Sequence, residues 1–222
     1  MGLNVSRNEL LYLVRKQLDS LFFCSAQDAS CLDTSLDQVI IRCLDQFSRI
    51  TNKYYSQDGK VSFNVFHSGQ YTIFLYWLSR LIFKENGEPC RSLCDRLYYL
   101  NKALNGLDLY YEIEMPAYFY LEHPVGSVMG RARYGNGFVF SQQCTVGVNK
   151  SIYPTFGENV ILFSGAKVLG SCSIGSNVLV SANTCLLDID IPDFSLVFGR
   201  PRDYVVKSIG EEYFQQFSQI DL

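Results

Sequence analysis

The sequence has few of the features that mark proteins that bind nucleic acids, span membranes or are exported. Its Lys and Arg residues are scattered and the formal net charge is −3, so there is no basic stripe for nucleic acid. The longest apolar stretch, residues 71–83, is interrupted by Arg80 and is too short to cross a bilayer. The N-terminal MGLNVSRNEL lacks the basic-then-apolar order of a signal peptide. We therefore expect a cytoplasmic protein with no transmembrane segment and no nucleic-acid partner.

Metal-ligating and acid–base side chains are also scarce. None of the eight cysteines lies in a C-x-x-C pair, which argues against a structural zinc site and favours reduced thiols. His67 and His123 are the two histidines, so any histidine chemistry must use one of them. His67 precedes a predicted helix, where capping or packing is the expected role.

Proline is absent before Pro89, and most of the glycines lie between Gly126 and Gly199. The first half instead shows apolar residues at the i, i+3, i+4 spacing of helix faces. Asp33-Thr34-Ser35 and Ser68 are predicted N-caps, and residues 54–60 a loop between helices. Four stripes predict four helices: Leu10, Val14, Leu18, Leu21 and Phe22; Leu36, Val39, Ile40, Cys43, Phe47 and Ile50; Tyr71, Phe74, Leu75, Leu78 and Ile82; and Leu93, Leu97 and Leu100.

The second half has a period of six residues. This period fits neither a helix nor an ordinary strand, but it fits a coil in which each hexapeptide gives one short strand and one turn. It predicts a parallel β-helix over residues 128–187, with Cys144 and Cys172 in small-residue positions inside the coil. The large residues of the repeat are Val128, Tyr134, Phe140 and Val146, then Phe156, Leu162, Val168, Ile174, Val180 and Leu186.

The repeat is interrupted twice. Ten residues instead of six separate Val146 from Phe156, so a loop must leave the coil within residues 148–155. A second irregularity lies around residues 122–126 and contains His123. Departures from a regular pattern are where function is expected.

These motifs resemble the left-handed β-helix acyltransferases, in particular the serine acetyltransferase branch. The resemblance rests on Leu121-Glu122-His123 followed by Gly126, on residues 143–147 (QCTVG), on residues 164–170 (SGAKVLG) and on residues 198–201 (FGRP). It implies an α+β chain: an α-helical N-terminal domain (1–106), a left-handed parallel β-helix that carries an acetyl-CoA-dependent acyltransferase (107–203), and a C-terminal helical tail (204–222).

The resemblance implies direct acetyl transfer from acetyl-CoA to a hydroxyl, with His123 as general base and no metal. Asp108 is the predicted partner that orients His123, with Glu112 and Glu114 as rivals. Glu122, beside the base, could instead bind the acceptor. Tyr153 and Glu114 are the predicted acceptor-binding residues. Backbone N–H groups near Gly147 and the Tyr153 hydroxyl are candidate oxyanion donors.

In this family CoA lies in the groove between the β-helices of neighbouring chains, which implies a homotrimer or a dimer of trimers. The predicted CoA-side residues are Gly147, Gly165, Ala166, Ser181, Ala182 and Arg200.

The ejected loop departs from the serine acetyltransferase pattern. Where that branch has R-H-P, this sequence has Ile152-Tyr153-Pro154, and arginine is the side chain suited to grip the carboxylate of serine. The sequence therefore favours a hydroxyl of a sugar, of a capsule or of an O-antigen polysaccharide as acceptor. Serine O-acetylation and a non-catalytic trimeric scaffold are the alternatives.

Overall fold

A computed structural model describes residues 2–222, and the chain divides into two compact units. The first unit runs to Ser48 and resumes over Asn52–Glu112, and the second comprises Arg49–Thr51 and Ile113–Leu222. The division after Glu112 lies a few residues beyond the domain boundary at residue 106 that the sequence predicts.

The first unit is helical, as the apolar stripes predict. Helix α1 spans Arg7–Leu21, α2 Ala26–Phe47, α3 Ser68–Asn86 and α4 Arg91–Asn105. Short 3-10 turns span Lys53–Tyr55 and Glu88–Cys90, and strand β4 spans Asp108–Leu109. The stripe residues of α2 to α4 are mostly buried, whereas Leu21, at the end of the first stripe, is exposed.

Two of the predicted helix starts are wrong. Asp33-Thr34-Ser35 lies inside α2, which begins after the N-cap Ser25. There the Ser25 hydroxyl accepts a hydrogen bond from the Asp28 N–H, and the Asp28 carboxylate accepts one from the Ser25 N–H, which satisfies two free backbone donors. The N-cap of α3 is His67 rather than Ser68: its Nδ1 accepts the N–H of Gln70 at 3.3 Å. Capping is thus the structural role of His67.

The predicted loop over residues 54–60 is largely a β-hairpin. Strands β2 (Ser56–Gln57) and β3 (Lys60–Phe63) pair antiparallel around Asp58-Gly59, and β3 also pairs with β1 (Gly2–Leu3). Asp58 and Gly59 both have positive φ, at 51° and 72°, as the tightest hairpin turns require.

The second unit is a parallel β-helix. Its first face contains β5 (Phe119–Leu121), β7 (Phe138–Phe140), β10 (Val160–Leu162), β13 (Val178–Val180) and β15 (Ser195–Arg200). Its second face contains β6 (Val128–Met129), β8 (Thr145–Gly147), β11 (Lys167–Leu169) and β14 (Cys185–Leu187), and its third face β9 (Thr155–Phe156) and β12 (Ser173–Ile174). The coil is longer than the predicted 128–187, because β5 precedes this range and β15 follows it.

Stacked large residues fill the coil, as the period predicts. Phe140, Leu162 and Val180 pair in register on the first face and are fully buried. Cys144 and Cys172 are also buried inside the coil, and burial raises the pKa of both thiols. The prediction that these cysteines pack as small core residues is confirmed.

Val128 is the exception among the repeat residues. Its side chain is 43% exposed, whereas the next residue, Met129, is 2% exposed and pairs with Val146. Tyr134 nevertheless stacks on Phe156, with ring centroids 5.5 Å apart and planes 4° apart. The inward residues Met129 and Tyr134 are therefore five residues apart instead of six. Val128 is six residues before Tyr134, as the period requires, but its side chain does not point inward.

The C-terminal segment closes the second unit. Strand β16 (Asp203–Ser208) pairs antiparallel with β15, and helix α5 spans Glu211–Gln215, which confirms the short helix expected after the coil. Ile220 forms an antiparallel bridge with Ile50 and is buried.

Candidate active site

The first corner of the coil, between its first and second faces, repeats one hydrogen-bond pattern. The N–H groups of Ser141, Phe163 and Ser181 bond to the carbonyls of Leu162, Val180 and Val197 on the next coil. Glu122 occupies the same position one coil earlier, since its N–H bonds to the Phe140 carbonyl at 2.9 Å.

His123 and Pro124 are an insertion in this corner. The Gly165 N–H bonds to the Gln142 carbonyl at 2.9 Å, and the Gln143 N–H bonds in the same way to the Val125 carbonyl at 3.0 Å. Val125 therefore occupies the place that Gln142 has one coil later. Glu122 is equivalent to Ser141, so the two residues between Glu122 and Val125 have no counterpart in that coil.

The insertion presents the His123 ring outside the coil. His123 has a φ of 49°, and its carbonyl accepts the Val125 N–H at 2.7 Å, which makes a tight turn. Its side chain is exposed, and no hydrogen bond or ion pair within residues 2–222 engages the ring. Both ring nitrogens are thus available to a substrate and to an orienting partner.

The carboxylates predicted to orient His123 differ in their own partners. Asp108 accepts hydrogen bonds from Tyr98 Oη at 2.7 Å and from Lys102 Nζ at 2.6 Å. Burial acts to raise the pKa of Asp108, but these two bonds together outweigh it and hold the pKa below its ordinary value. Glu112 pairs with Arg91 at 3.0 Å. Glu114 is exposed and belongs to the second unit, as His123 does.

The ejected loop is a tight hairpin turn. Asn149 and Ile152 exchange backbone hydrogen bonds of 3.0 and 2.9 Å around Lys150 and Ser151, which both have positive φ. Ile152 is exposed, whereas the half-buried ring of Tyr153 lies against Gly130. A Cβ atom at Gly130 would be 3.1 Å from Cε1 of that ring, so packing fixes the Tyr153 ring.

Asp188 anchors the start of this loop, a contact that the repeat alone does not reveal. Its Oδ2 accepts a hydrogen bond from Asn149 Nδ2 at 2.7 Å, and its Oδ1 accepts the Ser171 N–H at 2.8 Å. A Cβ atom on Gly170, whose φ is 76°, would lie 2.2 Å from Asp188 Oδ1. The carboxylate therefore joins the loop to the body of the coil.

Arg133 is a further residue that sequence reasoning missed. Its N–H bonds to the Pro154 carbonyl at 3.3 Å, and it pairs in parallel with Thr155. An exposed cation thus lies on the coil beside the loop, although the loop itself has Ile152 where an arginine was expected. The backbone pairing of Arg133 with residues 154–155 is a signal that only the fold provides.

The predicted CoA-side residues do not all lie together. Gly165, Ser181 and Ala182 lie at the first corner, in the same column as His123, and Ala182 is exposed. Ala166 follows in this corner but is buried, and its N–H and carbonyl bond to Phe163 and Thr145.

Gly147 and Arg200 lie elsewhere. Gly147 ends β8 on the second face, and Arg200 is at the exposed turn between β15 and β16.

The third corner carries a shallow groove of about 500 Å³. Arg133, Glu158, Ser176 and Asp193 contribute its polar lining, beside the stacked rings of Tyr134 and Phe156. None of the predicted site residues lines this groove, so it is separate from the corner that carries His123.

Neither a metal site nor a membrane span is found in the part of the chain that the structure describes. No group of three or more His, Cys, Asp or Glu residues within residues 2–222 is placed to hold a metal ion. No helix in that range is long and apolar enough to cross a membrane.

Comparisons with known proteins agree with this geometry, although no family model matches the sequence. The serine acetyltransferase of Staphylococcus xylosus is 24% identical over 161 residues, which cover 70% of this chain and 72% of that protein. The serine acetyltransferase of Staphylococcus aureus is 36% identical over 107 residues, which cover 40% of this chain and 49% of that protein.

Solved structures show the same fold. The serine acetyltransferase of Neisseria gonorrhoeae superposes with a TM-score of 0.71 at 19% identity, over 99% of this chain and 86% of that one. The chain is thus similar in sequence and fold to serine acetyltransferases, which are hexapeptide-repeat β-helix proteins. A serine acetyltransferase in complex with CoA is also similar, with a TM-score of 0.64 and 18% identity over 90% of this chain and 84% of that one. The family resemblance that the hexapeptide motifs predict is thereby confirmed.

Proposed function

We propose that this chain is an acetyl-CoA-dependent O-acetyltransferase that transfers the acetyl group directly to a hydroxyl, with His123 as general base. The observation that carries the proposal is the insertion of His123 and Pro124, which presents an exposed, unengaged imidazole on an otherwise regular corner. The coil needs no extra residues at this corner for its own stacking. An imidazole in such a position is suited to chemistry rather than packing.

The chemistry requires a base because an alcohol is a poor nucleophile at neutral pH. Neutral histidine can take the hydroxyl proton as the oxygen attacks the thioester, since its ordinary pKa lies near the working pH. Its other nitrogen needs an acceptor that fixes the tautomer. Glu122 is assigned to the acceptor side.

The column of residues below His123 supports a CoA site at the first corner. Gly165, Ser181 and Ala182 are small residues at this corner on successive turns, where an extended cofactor could contact the backbone. A relative solved with CoA supports this cofactor class. We propose that a second copy of the chain completes the groove, as in a homotrimer.

L-Serine is the acceptor we propose first. The relatives named above are all serine acetyltransferases, and none of them supports the sugar acceptor that the sequence favours.

An uncharged hydroxyl acceptor, such as a sugar, is the second candidate. One observation favours it: the loop carries the exposed Ile152 and the packed Tyr153 where a serine enzyme is expected to have arginine and histidine. These side chains offer an apolar surface and one hydroxyl instead of two cationic groups.

The deciding experiment is acetyl-CoA consumption by the purified chain with L-serine and, separately, with a panel of sugars and oligosaccharides. Turnover of serine alone would support the first acceptor, and turnover of sugars alone the second. No turnover with any hydroxyl acceptor would contradict the proposed activity and favour the trimeric scaffold.

His123→Ala tests the mechanism. Loss of a general base lowers kcat by roughly 10²–10⁴-fold, whereas the melting temperature should change little because the ring is exposed and makes no hydrogen bond or ion pair within residues 2–222. His67→Asn is the matched control: asparagine caps a helix well, so this variant should keep full activity. A His123→Ala enzyme with unchanged kcat would refute His123 as the base.

A further inference from the structure

We propose that Cys31 and Cys90 form a thiol pair that a small hydroperoxide converts reversibly into an intramolecular disulfide within the helical unit. Their Sγ atoms lie 3.3 Å apart. No other two cysteines within residues 2–222 make such a contact. The pair is independent of the acetyl-transfer site and belongs wholly to the first unit.

The geometry allows the bond with a small movement. A disulfide requires Sγ atoms about 2.05 Å apart, so the two atoms must approach by about 1.3 Å. Cys31 is on the long helix α2, but Cys90 ends the 3-10 turn Glu88–Cys90 that follows Gly87, whose φ is 64°. We expect this short turn, rather than α2, to take up the movement.

A buried ion pair holds the same helix contact in place. Asp28 and Arg96 join α2 to α4 with Oδ–Nη distances of 3.0 and 3.1 Å, and their side chains are 12% and 10% exposed. Asp28 is one turn before Cys31, and Arg96 is in the helix that Cys90 caps. The thiols are therefore held close in the reduced state, which lowers the entropic cost of joining them.

The two sulfurs differ in a way that sets the order of reaction. Cys31 is half-buried, whereas Cys90 is buried, and burial with the Cys31 contact raises the pKa of Cys90 to about 11. Peroxide therefore reaches Cys31 first. Cys94, one turn further along α4, is fully buried, and burial raises its pKa to about 12, which shields it from reaction.

The chemistry balances as two steps. The Cys31 thiolate attacks the hydroperoxide: an S–O bond forms, the O–O bond breaks, and water or an alcohol leaves with the thiol proton. Cys90 sulfur then attacks the resulting sulfenic acid, so that an S–S bond forms, the S–O bond breaks, and water leaves with the Cys90 proton. Two electrons pass from the thiols to the peroxide, and a dithiol reductant reverses the change.

The experiment treats the reduced full-length chain with hydrogen peroxide, followed by alkylation and non-reducing mass spectrometry of tryptic peptides. We expect the peptide 85–91, which contains Cys90, to be joined to the peptide 17–42, with a mass lower by two hydrogen atoms. Because peptide 17–42 also contains Cys24, Cys24→Ser is the matched control and should keep the crosslink. Cys31→Ser should abolish it.

Thermal unfolding gives a second readout. Closing the chain between positions 59 residues apart should raise the melting temperature of the oxidised wild type by roughly 5–10 °C, reversibly with reductant. Oxidised Cys31→Ser should show no rise. Sulfinic acid at Cys31 without a crosslink, a bond from Cys24 instead, or a crosslink between two chains would each overturn the proposal.

Discussion

The contact between Asn149 and Asp188 predicts how firmly the ejected loop is held. Asn149→Asp replaces the Nδ2 donor with a second carboxylate, 2.7 Å from Asp188 Oδ2. The change removes one charge-assisted hydrogen bond, which contributes about 1 kcal/mol at an exposed site, and adds about 1 kcal/mol of repulsion at high dielectric. The loop is thus destabilised by about 2 kcal/mol, or roughly 30-fold in its opening equilibrium.

Hydrogen exchange of the peptide that covers residues 148–155 measures this opening. The N–H groups of Asn149 and Ile152 bond to each other's carbonyls, so their exchange should quicken by roughly 30-fold.

Adding Asp188→Asn to Asn149→Asp provides the rescue. In the double variant, the amide oxygen introduced at position 188 can still accept the Ser171 N–H, and the amide nitrogen can donate to the carboxylate introduced at position 149. The pair is then restored with its partners exchanged. Asp188 has a φ of 49°, a conformation that asparagine tolerates well. Exchange that stays fast in the double variant, or that is normal in Asn149→Asp, would refute the anchoring role of Asp188.

Other perturbations test the packing and a buried ion pair. Gly170→Ala should destabilise the chain by about 2 kcal/mol, because its Cβ would lie 2.2 Å from a carboxylate oxygen; Gly210→Ala, with open space around it, is the control in chemical denaturation. Arg96→Leu should cost about 3 kcal/mol because it leaves Asp28 charged and buried without its partner, again measured by denaturation. Burial acts to raise the pKa of Asp28, but the bonds from Arg96 and Ser25 leave this pKa below its ordinary value. The ionised Asp28 therefore stabilises the fold fully above about pH 5, and this contribution is lost as acid protonates the carboxylate below about pH 3.9. Acid unfolding of the wild type should begin below about pH 3.9, and the loss of stability with falling pH should be less steep in Arg96→Leu.

The period of six residues predicts the second unit well because stacking enforces it. A large residue must fill the same place in each coil, so the sequence repeats wherever coils stack without interruption, as at Phe140, Leu162 and Val180. Corners are less constrained, since residues can be added or removed there without moving the strands. This is why the period places Val128 on the inside although Met129 lies there.

The errors in the first unit have local causes. Ser25 and Asp28 form a capping box that can be recognised in the sequence. The apolar stripe used to predict this helix begins only at Leu36, well inside α2, and therefore predicts a later helix start. Asp58-Gly59 likewise is a readable hairpin signal within a segment whose polarity suggests a loop. Both signals are polar, and apolar periodicity does not detect them.

The site was only partly predictable for a different reason. His123 stands out because it interrupts a repeat. Asp188 acts through a contact with Asn149 that brings distant segments together. Nothing in its own sequence neighbourhood distinguishes it from an ordinary surface charge.

The insertion at His123 and Pro124 also has a consequence for how such a protein can be remodelled. Two residues enter the first corner, yet the strands after it keep their pairing, from Leu121 with Phe140 to Met129 with Val146. Residues can thus be inserted at this corner without changing the strand register. The equivalent positions at Ser164 and Ala182 should therefore accept short insertions, so that a new reactive side chain can be introduced on each turn of the β-helix.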